Sequence, residues 1–322
     1  MLRLRVSALV VLLSLVVNNT VAGGCGAKQM EPARSAGQSG RGSANATPEP
    51  THKGAEMSSG DLQVLQEGRY TSFNQSFVAL AREPQTYAAL REMVNQLPEL
   101  GADFFRSHAV VAAFLGQRRT GSYSVEITRE ADGQVQVGEK SPSRGVVVTQ
   151  ALTAPFKVVA LPITAGQPLQ LTLDNSWQTA MRPYRVTTGE INVSGGIAGR
   201  IERLPLEGEI RIMRAGKLAT FLFAVKSGGQ SPVHSLNEIT TGTVDTDGRI
   251  SIPLLDADSL VERPHSDLKA TGQFTDNENK LSLAFASLPS NISDGFSGAG
   301  KLDAVATAPP PRKPVRGEDE PM

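Results

Sequence analysis

Cysteine is nearly missing from this chain, which has one, Cys25, in 322 residues. A single cysteine cannot close an internal disulfide, so a disulfide framework, a cysteine-rich zinc site and a paired redox motif are all excluded. Aromatic side chains make up 5% of residues and include one tryptophan, Trp177, so the cores are expected to be aliphatic and largely β. Lys plus Arg and Asp plus Glu both number 32, which leaves no net charge. With no basic excess and no Arg or Lys cluster interleaved with aromatics, no nucleic-acid partner is expected. The four histidines, His52, His108, His234 and His265, stand far apart without a metal-ligand spacing, and no metal or cofactor is expected. The apolar run from Val6 to Val17 falls well short of the roughly 20 residues that a membrane-spanning helix needs.

That run is instead the centre of an expected signal peptide, residues 1–24. Arg3 and Arg5 precede it, Asn18-Asn19-Thr20 break it, and small residues follow. Ala22-Gly23-Gly24-Cys25 has the form of a bacterial lipobox, with Ala22 where leucine is commonest, so Cys25 is the expected lipidation site and the membrane an expected partner. The other reading is ordinary cleavage after Ala22, giving a secreted protein with a free thiol. Residues 25–59 are rich in Gly, Ser, Ala, Pro and Thr and carry almost no large apolar side chains, as expected of a disordered tether. Residues 307–322, with Pro309-Pro310-Pro311, are expected to form a second disordered tail.

Between these flanks the pattern predicts two domains, an α+β domain over 60–163 and an all-β domain over 164–306, the latter an antiparallel meander closed as a barrel or stacked as a sandwich. In the first, strands are expected at Gln75–Ala81, Ala109–Leu115, Ser122–Thr128, Gln134–Gly138 and Phe156–Leu161, with Asp132-Gly133 a tight turn. Pro84 opens an expected helix to Gln96, whose Tyr87, Leu90, Val94 and Leu97 recur at spacings of three and four.

The stretch Ala109 to Val125, with its apolar strand, Gly116, Arg118-Arg119-Thr120-Gly121 and Tyr123, and the stretch Val148 to Val159 resemble the PrcB C-terminal domain family. That family is named for a subunit of a bacterial surface protease complex. The resemblance runs from about Leu62 to Ile163 and implies a mixed sheet with one helix and an accessory rather than catalytic role. Gly121-Ser122 stands where the family usually has two glycines, and Tyr87 and Arg91 where tryptophans are common. Thr120-Gly121 reads either as a turn with a positive φ angle or as a ligand contact, and Tyr123 either as packing or as a recognition anchor.

In the second domain three hairpins recur at intervals of roughly 30 residues. They turn at Ala215-Gly216, Asp247-Gly248 and Asp276 to Asn279. Leu169–Leu173, Pro183–Thr187 and Ile191–Val193 are expected to complete that sheet. Trp177 reads as a core residue or as an exposed recognition tryptophan. The catalytic motifs fail one by one. Gly295-Phe296-Ser297-Gly298-Ala299-Gly300 has Ala299 where a nucleophile elbow needs its last glycine and reads as a flexible loop. Asp245-Thr246-Asp247-Gly248 lacks the distal glutamate of a calcium loop. Gly298-Ala299-Gly300-Lys301 lacks the spacing of a phosphate loop.

The sequence therefore predicts a non-enzymatic, lipid-anchored cell-envelope protein, at the outer membrane if the host has two. Its expected partner is another exported protein, with an exported protease as one candidate. Arg119, Thr120, Tyr123 and Trp177 are the candidate partner-binding residues. The alternative is an exported carbohydrate-binding module or hydrolase with a loop-built site, which would draw on Asp256, Asp258 and Glu262.

Overall fold

A computed structural model describes residues 62–307, apart from 131–132, 144, 146, 164–168, 195–200, 228–234, 257–266 and 288–296. Cys25, the signal peptide, the tether and nearly all of the C-terminal tail lie outside the described residues. The first part opens with β1 (Gln63–Gly68), β2 (Phe77–Ala81), helix α1 (Pro84–Met93), β3 (His108–Phe114), β4 (Ser124–Arg129), β5 (Val135–Lys140), β6 (Phe156–Pro162), β7 (Leu171–Leu173) and the short helix α2 (Asn175–Gln178). One sheet has the order β1-β6-β3-β2 and a second the order β4-β5-β7. The continuous apolar runs Phe77–Ala81 and Ala109–Phe114 are buried on both faces, as such runs require.

Helix α1 stops three residues before the expected Gln96. Val94 takes extended angles (φ −119°, ψ 108°) and Gln96 sits at φ 73°. Pro98 disfavours helical angles at Leu97, and the break lets Val94 and Leu97 both reach the core. Tyr87 is buried on the inner face of α1 and donates its hydroxyl to the Pro98 carbonyl at 2.8 Å. Burial pushes its phenol up to about 12, with the Arg91 charge pulling weakly the other way. The folded state thus holds this proton more tightly than the unfolded chain, whose tyrosines ionise near pH 10. Stability is expected to fall as pH rises from about 10 to about 12, and Tyr87→Phe to flatten that fall, as read by urea unfolding across the alkaline range.

The remaining strands are β8 (Arg182–Ser194), β9 (Ile201–Ala215), β10 (Leu218–Ser227), β11 (Ser235–Val244), β12 (Arg249–Asp256), β13 (Asp267–Thr275), β14 (Lys280–Ser287) and β15 (Ser297–Ala306). They form a closed barrel in which each strand pairs with its sequence neighbour and β15 returns to β8. The three expected hairpins are present with their turns at the expected positions. Period-two alternation puts Ile210, Phe221, Phe223, Leu281, Leu283 and Leu302 inside, and Lys226, Lys269, Lys301 and Asp303 outside. The arrangement is the reverse of a membrane barrel, which turns its apolar face to lipid. No helix among the described residues is long and apolar enough to cross a membrane.

Three expectations need correction. Leu169–Leu173 does not join the barrel: Leu171–Leu173 pairs in parallel with β5, because Leu171, Leu173 and Trp177 complete the first core. The first part therefore extends past residue 163, and the barrel begins at Arg182. Pro183–Thr187 and Ile191–Val193 are one strand, β8, bent by a register shift between Arg185 and Glu190. Finally, Ser297–Gly300 is no loop. It starts β15, whose pairing with β14 and β8 closes the barrel.

Strand β2 ends its sheet, and an unpaired sheet edge is a liability unless something covers it. Here the outer wall of the barrel does so. The Leu80 N–H donates to Thr241 Oγ1 at 2.8 Å, the Thr220 hydroxyl donates to the Val78 carbonyl, and the two threonine hydroxyls lie 2.9 Å apart. Alternation is lost on this wall, where Leu218, Ala219, Thr220 and Phe221 are all buried, since one face lines the barrel and the other meets β2.

Candidate partner-binding surface

The expected site residues Arg119, Thr120 and Tyr123 lie on the loop that follows β3. Arg118 pairs as an isolated bridge with Thr153, whose own loop leads into β6. Reciprocal backbone bonds, Arg118 N–H to Thr153 O at 2.7 Å and Thr153 N–H to Arg118 O at 2.9 Å, make the two loops a short ribbon. Gly121 N–H adds a bond to Thr149 O at 2.8 Å, and the Thr153 hydroxyl donates to Thr120 O at 3.1 Å. Ala154 N–H donates to Arg69 O at 2.8 Å, which brings in a third loop, the one after β1.

In this ribbon the two neighbouring arginines have opposite duties. Arg118 points inward: its guanidinium donates to Leu115 O at 2.7 Å, pairs with Glu139 at 2.8 Å and lies 5.8 Å from the Tyr123 ring centroid. Arg119 is exposed and has no ion-pair partner among the described residues. Antiparallel pairing of Arg118 with Thr153 puts Arg119 opposite Leu152, which is 60% exposed. Tyr70, next to Arg69, is 70% exposed, and Val147, farther along the Leu152 loop, is almost fully exposed. The structure thus sets the exposed Leu152 beside the exposed Arg119 at one end of the first sheet, with the exposed Tyr70 on the loop that Ala154 joins to them.

Thr120 and Tyr123 are half-buried and help hold the ribbon rather than crown it. The positive φ expected at Thr120-Gly121 falls on Ser122, at 72°. A Cβ at 121 would stand 2.4 Å from Thr149 Oγ1, a contact that the exposed Thr149 side chain would have to turn aside to relieve. Trp177 is not exposed at all. It is fully buried on α2 and donates its indole N–H to Phe114 O at 3.1 Å, so it drops out as a contact residue. Tyr70 and Leu152 escape sequence reasoning because each is a lone large residue among small or polar neighbours, with no period to mark its exposure.

The other sequence candidates do not converge here. His108 stacks on Phe104 with ring centroids 4.7 Å apart, and His52, His234 and His265 lie outside the described residues. Asp256 ends β12, while Asp258 and Glu262 lie outside the described residues. Among the described residues no group of three His, Cys, Asp or Glu side chains could hold a metal. Asp245-Thr246-Asp247-Gly248 is a hairpin turn in which Asp245 Oδ1 accepts the Asp247 and Arg249 N–H groups at 2.9 and 2.8 Å. Inside the barrel the cavity between Ile191, Phe223, Leu236, Phe285 and their neighbours measures about 10 Å³, no more than about one water.

The ribbon, Leu152 and Val147 all fall within a single stretch of known kind. Residues 109–162 match the family model described as PrcB C-terminal. The PrcB C-terminal match begins at β3 and ends with β6, inside the longer resemblance read from the sequence, and leaves the barrel unmatched. No curated protein matches the chain. Among solved structures, two mutant forms of the vaccine antigen Transferrin Binding Protein B from Haemophilus parasuis Hp5 are similar. The single mutant has 13% identity and a TM-score of 0.27 over 59% of this chain and 38% of that one. The double mutant has 11% identity and a TM-score of 0.27 over 74% and 38%. The chain thus spans well under half of either, and both are too distant to carry a functional argument.

Proposed function

We propose that this protein is a lipid-anchored component of a bacterial cell envelope whose first part binds another exported protein without itself catalysing a reaction. The observation that carries the reading is the surface formed by Tyr70, Leu152 and Arg119, the last two within the PrcB C-terminal match. Large apolar side chains grouped at an exposed loop end are features of a protein contact, and the unpaired cation fits a carboxylate-bearing partner. The family name supports an accessory role beside an exported protease. The filled barrel interior suits a scaffold or spacer better than a ligand carrier.

Anchoring follows from Cys25 and its small-residue approach. Lipidation there and the tether of residues 26–59 would hold the folded part clear of the headgroups. Cys25→Ser is expected to move the protein from the membrane pellet to the soluble fraction after cell fractionation. Retention of the variant in the pellet would show that the lipid assignment is wrong.

Binding has its own test. The tagged, full-length protein is expected to retain an exported partner through affinity capture from its native envelope. Leu152→Asp together with Arg119→Glu is expected to cut that capture at least about tenfold, since a tenfold loss needs only about 1.4 kcal/mol. Unchanged capture by a folded double variant would sink the reading.

A further inference from the structure

All three methionines among the described residues, Met93, Met181 and Met213, pack into or against the first core. Two of them sit where that core meets the barrel. Met213 belongs to the barrel strand β9 but turns outward, and its Sδ accepts the Val78 N–H at 3.2 Å. Val78 lies on the outer edge of β2, so a thioether works beside the Thr220 and Thr241 hydroxyls to satisfy that edge. Met93 ends α1 and reaches the turn that follows β9, where a Cβ on Gly216 would stand 3.6 Å from its Sδ. Its neighbour Glu92 pairs with Lys217 of the same turn at 2.6 Å. Met93 thus holds α1 against the barrel only three residues along the chain from Met213.

Exposure sets an order between the two sulfurs. Met93 is partly exposed, whereas Met213 is 4% exposed and packs beside Val78 and its cross-strand neighbour Thr220, both wholly buried. A dissolved oxidant therefore meets Met93 first. The sulfur lone pair takes one oxygen from a peroxide, the O–O bond breaks, water leaves, and the thioether becomes a sulfoxide. The S–O group is polar and must be hydrated or hydrogen-bonded, which draws the end of α1 away from Gly216 and the core. Met213 then loses its cover. An oxygen added to its sulfur has no space against Val78 and Thr220 in a closed seam, and it displaces the thioether from the Val78 N–H. The Thr220 and Thr241 bonds and the Arg82–Glu238 pair still cross the seam, so the outcome is a looser joint and not an unfolded protein.

We propose that the seam between the first part and the barrel is a redox-sensitive joint, in which oxidation of Met93 by a peroxide uncovers Met213 and oxidation of Met213 frees the edge of β2. A methionine sulfoxide reductase reverses both steps: two thiols of the reductase become a disulfide, and the sulfoxide oxygen leaves as water. The joint depends on neither the ribbon surface nor the lipid anchor, because it shares no residue with them.

The test treats the full-length protein with hydrogen peroxide, maps the oxidised methionines over time by mass spectrometry of peptides, and follows hydrogen exchange at the Val78 amide. Met93 is expected to be oxidised before Met213. Once Met213 is oxidised, exchange at Val78 is expected to speed up by about tenfold, with the circular dichroism of the folded part unchanged, and to return to its starting rate after treatment with methionine sulfoxide reductases. Met93→Leu removes the oxidisable sulfur at nearly constant volume and is expected to slow the oxidation of Met213 by about tenfold. Met93→Gln, polar at a similar length, should speed it. Oxidation of Met213 ahead of Met93, an equal rate at Met213 in wild type and Met93→Leu, unchanged exchange at Val78 in the doubly oxidised protein, or loss of the whole fold on oxidation overturns the proposal. Should Met93→Leu not fold, the order of oxidation and the exchange at Val78 in wild-type protein still decide it.

Discussion

Trp177→Ala is expected to lower the stability of the folded part by about 3 to 5 kcal/mol, the usual cost of truncating a fully buried large aromatic. Trp177 is the largest of the fully buried side chains, and it joins two pieces of chain far apart in sequence. Its ring fills the first core beside Leu173 and Met181, and its indole N–H satisfies the Phe114 carbonyl at the end of β3. Removing it leaves a void and a buried carbonyl without its donor, which adds a penalty of about 1 to 3 kcal/mol that overlaps the first. Helix α2 is held independently, since the Asp174 carboxylate accepts the Ser176 N–H at 2.9 Å and the Glu139 N–H at 2.7 Å. The void therefore has little freedom to collapse. Trp177→Phe keeps one of the two fused rings and loses the N–H donor, so it leaves a smaller void and should cost less, about half as much. Urea unfolding followed by circular dichroism separates the two. Equal midpoints for wild type and Trp177→Ala would refute the assigned role.

Gly272→Val is the second large effect, expected to cost about 3 kcal/mol or more by overpacking. Gly272 sits in the middle of β13 and pairs with Ile250 on one side and Leu283 on the other. A Cβ at that position would stand 2.0 Å from the Ser282 carbonyl oxygen and 2.7 Å from Leu283 Cδ2. The first of these is backbone, which cannot swing aside, so β13 and β14 would have to part. In a closed barrel such a separation is not absorbed at an edge, because every strand has two neighbours. Gly272→Val is thus expected to lower the unfolding temperature by several degrees at least, and to leave an exposed control such as Lys301→Val close to wild type.

How much of this was written in the sequence depends on the distance over which each feature is decided. The hairpins at Ala215-Gly216, Asp247-Gly248 and Asp276 to Asn279 are local: alternating strands and turn residues suffice, and they stand where they were expected. Even there the last turn holds three consecutive residues at positive φ, Asp276, Asn277 and Glu278, which no glycine announced. Arg182 explains part of it, since its guanidinium donates to the Glu278 carbonyl at 2.8 Å and to Asn279 Oδ1 at 2.7 Å, a contact made from almost a hundred residues away. Strand β7 was misassigned for the same reason. Leu-Thr-Leu alternates as well for one sheet as for another, and only its parallel pairing with β5 decides between them. Strand β15 was hidden because its opening Ser297-Gly298-Ala299-Gly300 has no large side chain to show a period, although Leu302 and Ala304 beyond it do face inward.

The candidate surface was half legible. Arg119 could be named from the family pattern, because a basic residue beside Thr120-Gly121 belongs to it. Leu152 and Tyr70 could not, since their neighbourhood with Arg119 depends on the bridge between Arg118 and Thr153 and on the bond from Ala154 to Arg69. Trp177 shows the converse. A lone tryptophan in a polar stretch reads as a core residue or as a recognition residue, and its burial with the bond to the Phe114 carbonyl settles on the core.

The most direct measurement of the central proposal is site-specific photo-crosslinking in living cells that carry the full-length protein. A benzoylphenylalanine is placed at Leu152, with the same group at Lys301 on the barrel exterior as the reference. The account predicts a discrete adduct with one exported protein from position 152 that disappears when Arg119→Glu is added, and no such adduct from position 301. The same adducts from both positions, or none from position 152 in a folded and correctly located protein, would contradict it.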